Sequence, residues 1–392
     1  MKKLAIISSH PIQYFSPLYR HISSLKDIDV RVFYGSKMGM GNDIDPEFNL
    51  KIAWKVDLLS GINHEFLDTK TVFGKKEAKF RYAINLKKRL SAFAPDAIFF
   101  AGYATFLELQ TLLVAKSMGI PIIVRPEGND RCLKRSKIKN MFRSIFLRRF
   151  YKYIDTFLSV GTLSTEHFLA HGGDSKKIVP CRYCVDNDYF TKSHHQLSKQ
   201  DNLKSELGLE RFNTIILFCG KLIEKKDPLT LLQAFEACKF DSSVGLVFVG
   251  SGALEDQLKT LARHQNSQVH FAGFINQDKI IQYYQIADVL VLGSQYGETW
   301  GLVVNEAMNF GVVPVVSNLV GCATDLVTAE TGRIFNVGDR AALAAILQDL
   351  TSNPDLLKKL SQGSKDLIKH YDIQQAAIGF QKAVGISTAT SI

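Results

Sequence analysis

The chain has 392 residues, with 48 Lys and Arg against 38 Asp and Glu, a formal net charge of +10 and a hydrophobic fraction of 46%. That length suits two domains of ordinary size, and the hydrophobic fraction supplies a buried core, which excludes a mainly disordered chain. No apolar run approaches the roughly 18 residues of a membrane-spanning helix, so none is expected.

In chain order, Met1–Ile7 carries two lysines and then only Leu4, Ala5, Ile6 and Ile7 before Ser8 and Ser9. This is too short for a secretory signal and predicts a first buried strand. Further buried strands are predicted over Leu4–Ser8, Val30–Tyr34, Ala97–Phe100, Ile120–Val124 and Thr156–Val160, with helices over Tyr82–Phe93 and Phe106–Met118. The tract Ile178–Phe190 ends this pattern, and the polar stretch Thr191–Asn202 reads as a linker. Alternation then resumes. Strands are predicted at Ile215–Cys219, Leu246–Val249, Val269–Phe271, Val289–Leu292 and Val312–Val316. Helices are predicted at Pro228–Cys238, Leu254–His264, Asp278–Ile286, Leu302–Phe310 and Arg340–Leu350.

Two such blocks give an α/β chain of two Rossmann-like, doubly wound parallel-sheet domains facing across a cleft. Ligands are expected at the carboxyl ends of the strands. The expected boundaries are residues 1–190, a linker at 191–210, a second domain at 211–372, and a last helix within 373–392 that packs back on the first domain. Six scattered cysteines in a chain of this size fit reduced thiols and a cytoplasmic location.

Positive charge concentrates in one place. From Arg131 to Lys152 there are nine basic residues and no acidic one, and without this segment the net charge falls to +1. Met141, Phe142, Ile145, Phe146, Phe150 and Tyr151 lie among them at near-helical spacing. Such a segment reads as a core-facing helix with a solvated basic back, or as a basic amphipathic helix on an anionic membrane or acceptor. Nucleic acid is not expected as a partner, because no recognition motif accompanies the charge.

The sharpest local pattern follows the strand Val289–Leu292. A Gly-punctuated loop from Gly293 carries Glu298, a helix begins near Gly301, and Glu306 lies more than one turn inside it. The amides at the helix start suit an anion, and the staggered carboxylates suit hydroxyl recognition at two places. After the strand Ile215–Cys219, Gly220 allows close backbone approach, and Lys221 and Lys226 can converge on one diphosphate.

Together, Gly220-Lys221-Leu222 with Lys226, and Glu298 separated by seven residues from Glu306, resemble the C-terminal domain of the retaining family 4 glycosyltransferases (glycosyl transferases group 1) of GT-B fold. The resemblance extends through Val249–Gly252, Phe271–Phe274, Ala287-Asp288 and Asn305–Met308, and more loosely into the N-terminal half at Val160–Leu169 and Val185-Asp186. It implies transfer of a sugar from a nucleotide diphosphate to a glycan or lipid-linked acceptor with retention, in cell-surface polysaccharide or glycolipid synthesis. The commonest donors of the family make a UDP-sugar the expected donor, with no cofactor and no metal.

By the same resemblance, Lys221 and Lys226 clamp the diphosphate, Glu306 holds the ribose hydroxyls, and Glu298 bonds the donor sugar. Gly220, Phe274, Thr299, Trp300, Gly301 and Leu302 complete the donor site, largely through backbone. The family's usual histidine in the N-terminal domain is replaced here by Glu127, within Arg125-Pro-Glu127-Gly. Glu127 is expected to accept a bond from a sugar hydroxyl and Arg125 to orient it; a structural Arg–Glu pair is the competing reading. Glu127, Lys221, Lys226 and Glu298 are thus placed at the reacting bond. Where the family often has a Gly-rich loop after its first strand, this chain has His10, Gln13 and Tyr14, expected with Arg125 on the acceptor side.

Other patterns carry less. The Asp-x-Asp pairs at 27/29, 43/45 and 186/188 lie in unrelated settings, and the basic residues already serve phosphate. Cys181-x-x-Cys184 lacks a partner pair at zinc spacing. Gly250-x-Gly252 has Glu255 where a dinucleotide fingerprint needs its third glycine. Two other functions fit the same donor site: an epimerase or sugar-phosphate synthase of this fold, and a catalytically inactive nucleotide-sugar binder. The expected location is cytoplasmic, with peripheral attachment at the inner face of the plasma membrane through residues 131–152.

Overall fold

Short apolar runs, each buried on both faces, build two parallel sheets in the computed structural model. It describes residues 1–38, 40, 44–45, 50–51, 57–72, 78–133, 135–197, 202–263 and 268–387. Asp43, Lys134, Lys199 and His264 lie outside the described residues.

The first sheet contains β1 (Lys2–Ser8), β2 (Ile28–Tyr34), β3 (His64–Phe66), β4 (Ala97–Phe100), β5 (Ile122–Val124), β6 (Thr156–Ser159) and β7 (Ile178–Pro180), in the order β7-β6-β5-β4-β1-β2-β3. Its ladders are all parallel. Around it stand α1 (Ser16–Ser24), α2 (Leu86–Phe93), α3 (Phe106–Met118), α4 (Lys137–Tyr151) and α5 (Thr162–Ala170). Helix α3 has the predicted bounds because both ends are specified locally. Thr105 and Glu108 form a reciprocal capping box, and Gly119 closes the helix in the left-handed region.

The helix predicted from Tyr82 is shorter. Residues 81–83 instead pair antiparallel with 69–71, Ala83 is fixed to the Gln110 side chain, and the helix begins at Leu86. Tyr82 and Ile84 are exposed, so the apolar spacing that suggested an earlier start serves no packed face.

The tract read as a linker is partly helical, within α6 (Asn187–Leu197) and α7 (Leu203–Glu206). Phe190, Leu197, Leu203 and Leu209 join the core that also holds Leu217, Leu290 and Val304. Polar composition concealed this because only one residue in three or four faces inward.

The second sheet comprises β8 (Thr214–Cys219), β9 (Val244–Val249), β10 (Val269–Gly273), β11 (Val289–Leu292), β12 (Val313–Ser317) and β13 (Arg333–Phe335), in the order β10-β9-β8-β11-β12-β13. The helices are α8 (Pro228–Ala237), α9 (Glu255–Ala262), α10 (Gln277–Ile286), α11 (Leu302–Met308), α12 (Ala323–Leu326), α13 (Arg340–Ser352), α14 (Pro354–Ile368) and α15 (Ile373–Ala383). Helix α14 was not anticipated; its Asn353 cap and Pro354 start it without a preceding strand.

Helix α15 returns to the first domain. Phe380 packs edge-on to Phe99 with centroids 4.9 Å apart, and Gln381 donates to Asp27 at 2.7 Å. Burying one phenylalanine in this way contributes about 1.5–3 kcal/mol. Both sheets reverse direction of growth once, between β1 and β4 and between β8 and β11. The loops leaving β8 and β11 therefore flank a crevice at the carboxyl edge, the usual place for a ligand in such sheets.

Candidate active site

The loop after β8 is held close to its neighbour by glycine. Gly250 has φ +136°, and a Cβ there would lie 1.9 Å from the Gly220 carbonyl oxygen. Gly220 N donates to Val249 O at 2.9 Å and Gly250 N to Gly273 O at 2.8 Å, so three strand ends are stitched together. The Gly-x-Gly that resembled a dinucleotide fingerprint thus serves backbone contact. A tight turn then ends at Asp227, itself left-handed at φ 53° and capping α8 through Thr230 N. That turn aims Lys221, Lys225 and Lys226 into the crevice.

The loop after β11 is braced from behind. Gly321 packs on the Thr299 carbonyl, Cys322 N donates to Trp300 O at 2.9 Å, and Ser317 Oγ bonds Ser294 O at 2.7 Å. Between the loops lies a cavity of about 550 Å³. It is lined by the predicted donor residues Gly220, Lys221, Lys226, Phe274, Glu298, Thr299, Trp300, Gly301, Leu302 and Glu306, and by Glu127, Gln13 and Tyr14 from the N-terminal domain. His10 and Arg125 do not line it.

Glu306 is 4% exposed on α11. Its Oε2 accepts from Tyr284 at 2.6 Å, while Oε1 has no hydrogen-bond partner among the described residues. Burial raises its pKa from 4.5 to about 7, against the opposing Tyr284 bond. Tyr14 packs against the same core as Tyr284, and burial followed by the Glu306 charge raises its phenol. This differs from the expected acceptor side: Tyr14 stands beside the residue assigned to the ribose.

Lys226 and Glu298, expected to meet different parts of a donor, are ion-paired, and Ser294 donates to the same Glu298 oxygen at 2.9 Å. Glu127 joins the domains: Tyr183 donates to one oxygen, and Thr299 from the facing domain donates to the other at 2.9 Å. Arg125 does not orient Glu127 directly, nor do the two form the pair considered from sequence. It is 3% exposed beneath Tyr183, its guanidinium 4.6 Å from that ring's centre. The Trp300 side chain stacks on Tyr183 at 5.7 Å and donates to Asn305 at 2.7 Å. Further ties cross between the domains from Gly297 N to Cys132 O and from Thr162 to Asp325.

Tyr183, Tyr284, Lys225 and Ser294 were not singled out from sequence. Lys225 stood inside a recognised motif and was legible there; the others face the site only through the packing of distant segments.

Outside the cavity, ligand atoms of Asp130, His167 and His171 gather within 4.8 Å. The Arg143 guanidinium lies 2.7 Å from Asp130, and Tyr151 bonds His167 at 2.8 Å, so a cation and a phenol already serve this group. Cys181 and Cys184 are buried free thiols, and burial pushes Cys184 up to about 12.

Two facing Rossmann-like domains with a carboxyl-edge crevice between them define a GT-B fold. Residues 199–367 match the family model glycosyl transferases group 1. It is 34% identical over 139 residues to an uncharacterized glycosyltransferase of Methanocaldococcus jannaschii, covering 34% of each chain. Over 183 residues it is 27% identical to the lipopolysaccharide 1,2-N-acetylglucosaminetransferase of Salmonella typhimurium, covering 44% of this chain and 46% of that one. The chain thus spans between about a third and a half of these curated relatives. Among solved structures, Anabaena HepE in complex with UDP aligns with 98% of this chain and 99% of its own at a TM-score of 0.71 and 16% identity, a likeness of fold.

Proposed function

We propose that the protein transfers a sugar from a UDP-sugar to a glycan or lipid-linked acceptor in cell-surface polysaccharide or glycolipid synthesis. Transfer retains anomeric configuration and uses no metal ion. The observation that carries the reading is a buried Glu306 oxygen without a hydrogen-bond partner among the described residues, in the same cavity as three lysines at a sheet's switch point. A ribose hydroxyl supplies the missing donor, and the lysines supply charge for a diphosphate. The UDP complex of HepE and the Salmonella relative's name support the choice of donor and product class.

In this reading the acceptor hydroxyl attacks the anomeric carbon on the face the diphosphate leaves. The bond from that carbon to the phosphate oxygen breaks, the new glycosidic bond forms, and the hydroxyl proton passes to the departing phosphate. Lys221, Lys225, Lys226 and the amides near Gly301 stabilise the charge that develops there. Glu127 and Glu298 accept from sugar hydroxyls, and the ties across the cleft keep water out.

Thermal unfolding with UDP, GDP, CDP, ADP, dTDP and NAD tests this. The expected result is that UDP at a hundredfold its Kd stabilises the chain by about 2.7 kcal/mol and that Glu306→Ala removes the effect. Lys226→Ala is expected to lower turnover at least a hundredfold. No response to any nucleotide diphosphate, or wild-type kinetics in both variants, refutes the assignment.

A further inference from the structure

Helix α4 is apolar on two opposite faces, and the core uses only one. Leu147, Phe150 and Tyr151 are buried in the N-terminal domain. On the far side, Ile138, Met141, Phe142 and Ile145 stand at positions i, i+3, i+4 and i+7 of one helical stripe, and Phe146 borders them. They are 65%, 55%, 64%, 51% and 41% exposed. Five of the 17 large apolar side chains exposed among the described residues thus fall in this one helix. Singly scattered apolar residues need no explanation, but an aligned row does.

The row is flanked by cations. Lys137, Lys139, Arg148 and Arg149 are exposed along the helix, Arg135 and Lys152 at its ends, and no acidic residue occurs from 131 to 152. Nor is this a frayed helix. Ser136 caps its start, Arg143 reaches Asp130 at 2.7 Å and the Tyr103 hydroxyl at 3.2 Å, and Ser144 bonds His171 at 3.2 Å. The inner face is anchored, so the outer row is held in a fixed orientation.

We propose that this face of α4 docks on an anionic lipid surface. From Ile138 to Phe146 the row is roughly 12 Å long and 10 Å wide, on the order of 100 Å², far below the ~800 Å² per partner of a stable protein interface. A bilayer needs no matching pocket: apolar side chains sink to the acyl boundary while lysine and arginine stems extend to headgroups. The segment leading into α4 also touches the cleft, where Cys132 O accepts from Gly297 N. Docking here brings the Glu127 side of the cavity towards the bilayer, where an amphiphilic acceptor would reside. That last step rests on the proposed transfer reaction; the docking does not.

The test is flotation of the full chain, without donor, on vesicles of phosphatidylcholine with and without phosphatidylglycerol. Binding is expected only with the anionic lipid, and high salt should reverse it. Each cation near such a surface contributes about fivefold in affinity, so Lys137→Gln, Lys139→Gln and Arg148→Gln together should cost about a hundredfold. The double variant Phe142→Asp, Ile145→Asp should abolish flotation. All these side chains are exposed, so unfolding midpoints and UDP-induced shifts should stay at wild-type values in both variants. The proposal is overturned by failure to float on anionic vesicles, by equal binding to neutral ones, or by variants that bind like wild type. It is also overturned if the chain stays off vesicles but forms a dimer or a stoichiometric protein complex that Phe142→Asp abolishes. Loss of the UDP effect with flotation intact would refute the donor site and leave the docking face standing.

Discussion

Replacing Glu306 by glutamine tests the electrostatics of the cavity before any substrate is known. The carboxylate is 4% exposed, among the described residues one oxygen has only Tyr284 and the other has no partner, and burial lifts its pKa from 4.5 to about 7. The folded chain therefore holds this proton more tightly than the unfolded chain. Its contribution is most favourable below pH 4.5, declines as pH rises towards 7, and is then constant. The rise corresponds to about 3 kcal/mol, or roughly 6–12 °C for a domain of 150–250 residues. Glutamine cannot titrate. Its amide, placed where Oε1 lies, lacks an acceptor and costs about 1–3 kcal/mol at every pH. The diagnostic is thus the change in the wild-type minus Glu306→Gln difference in Tm between pH 5 and pH 8, measured by scanning calorimetry. The variant should gain on wild type by up to about 3 kcal/mol across that interval. Parallel curves would show that Glu306 does not titrate there and would refute the buried, unpartnered carboxylate.

Two further substitutions probe the loops. Gly250→Ala would set a methyl 1.9 Å from the Gly220 carbonyl at φ +136°, so a loss above about 3 kcal/mol and of the nucleotide-induced shift is expected. Gly338→Ala, at φ +76° with open space around it, should cost only about 1–2 kcal/mol and leave nucleotide binding unchanged; equal losses in the two would sink the close-approach argument. Glu127→Gln keeps the shape but lets only one side-chain oxygen accept from Tyr183 or Thr299. It should lower kcat at least tenfold with Tm nearly unchanged, and a wild-type kcat would remove Glu127 from the reaction.

The strands were legible because a buried parallel strand is a short, unbroken apolar run, as in Val289–Leu292, found with the predicted bounds. Helix α3 was legible through its capping residues. The helical parts of the 191–210 tract, 191–197 and 203–206, were missed because these helices bury few side chains each, and residues 81–83 were misread because exposed Tyr82 and Ile84 imitate a packed face. In the site, spacing identified both loops and both glutamates. It did not show that Lys226 would meet Glu298, Tyr284 would meet Glu306, or Tyr183 would meet Glu127. Those contacts join residues 72, 22 and 56 positions apart, so local sequence carries no trace of them.

These pairings bear on how the proposed transfer would gain its rate. Within the cavity Lys226 is paired with Glu298, and Glu127 accepts from Tyr183 and Thr299. A donor that arrives with a diphosphate must draw Lys226 from one anion to another, an exchange that yields little net affinity because one charge pair replaces a second. Glu306 differs: its unpartnered oxygen gains a bond that the free protein lacks. Ground-state affinity in this scheme therefore comes mainly from the nucleoside end. As the bond to the anomeric carbon breaks, charge grows on the diphosphate and the balance at Lys226 tips towards it. Glu298 is then freed to accept from the sugar hydroxyls while the ring acquires positive character. A cation shared between a resident carboxylate and a leaving group thus contributes more in the transition state than in the bound ground state, which is the condition for raising kcat rather than tightening binding.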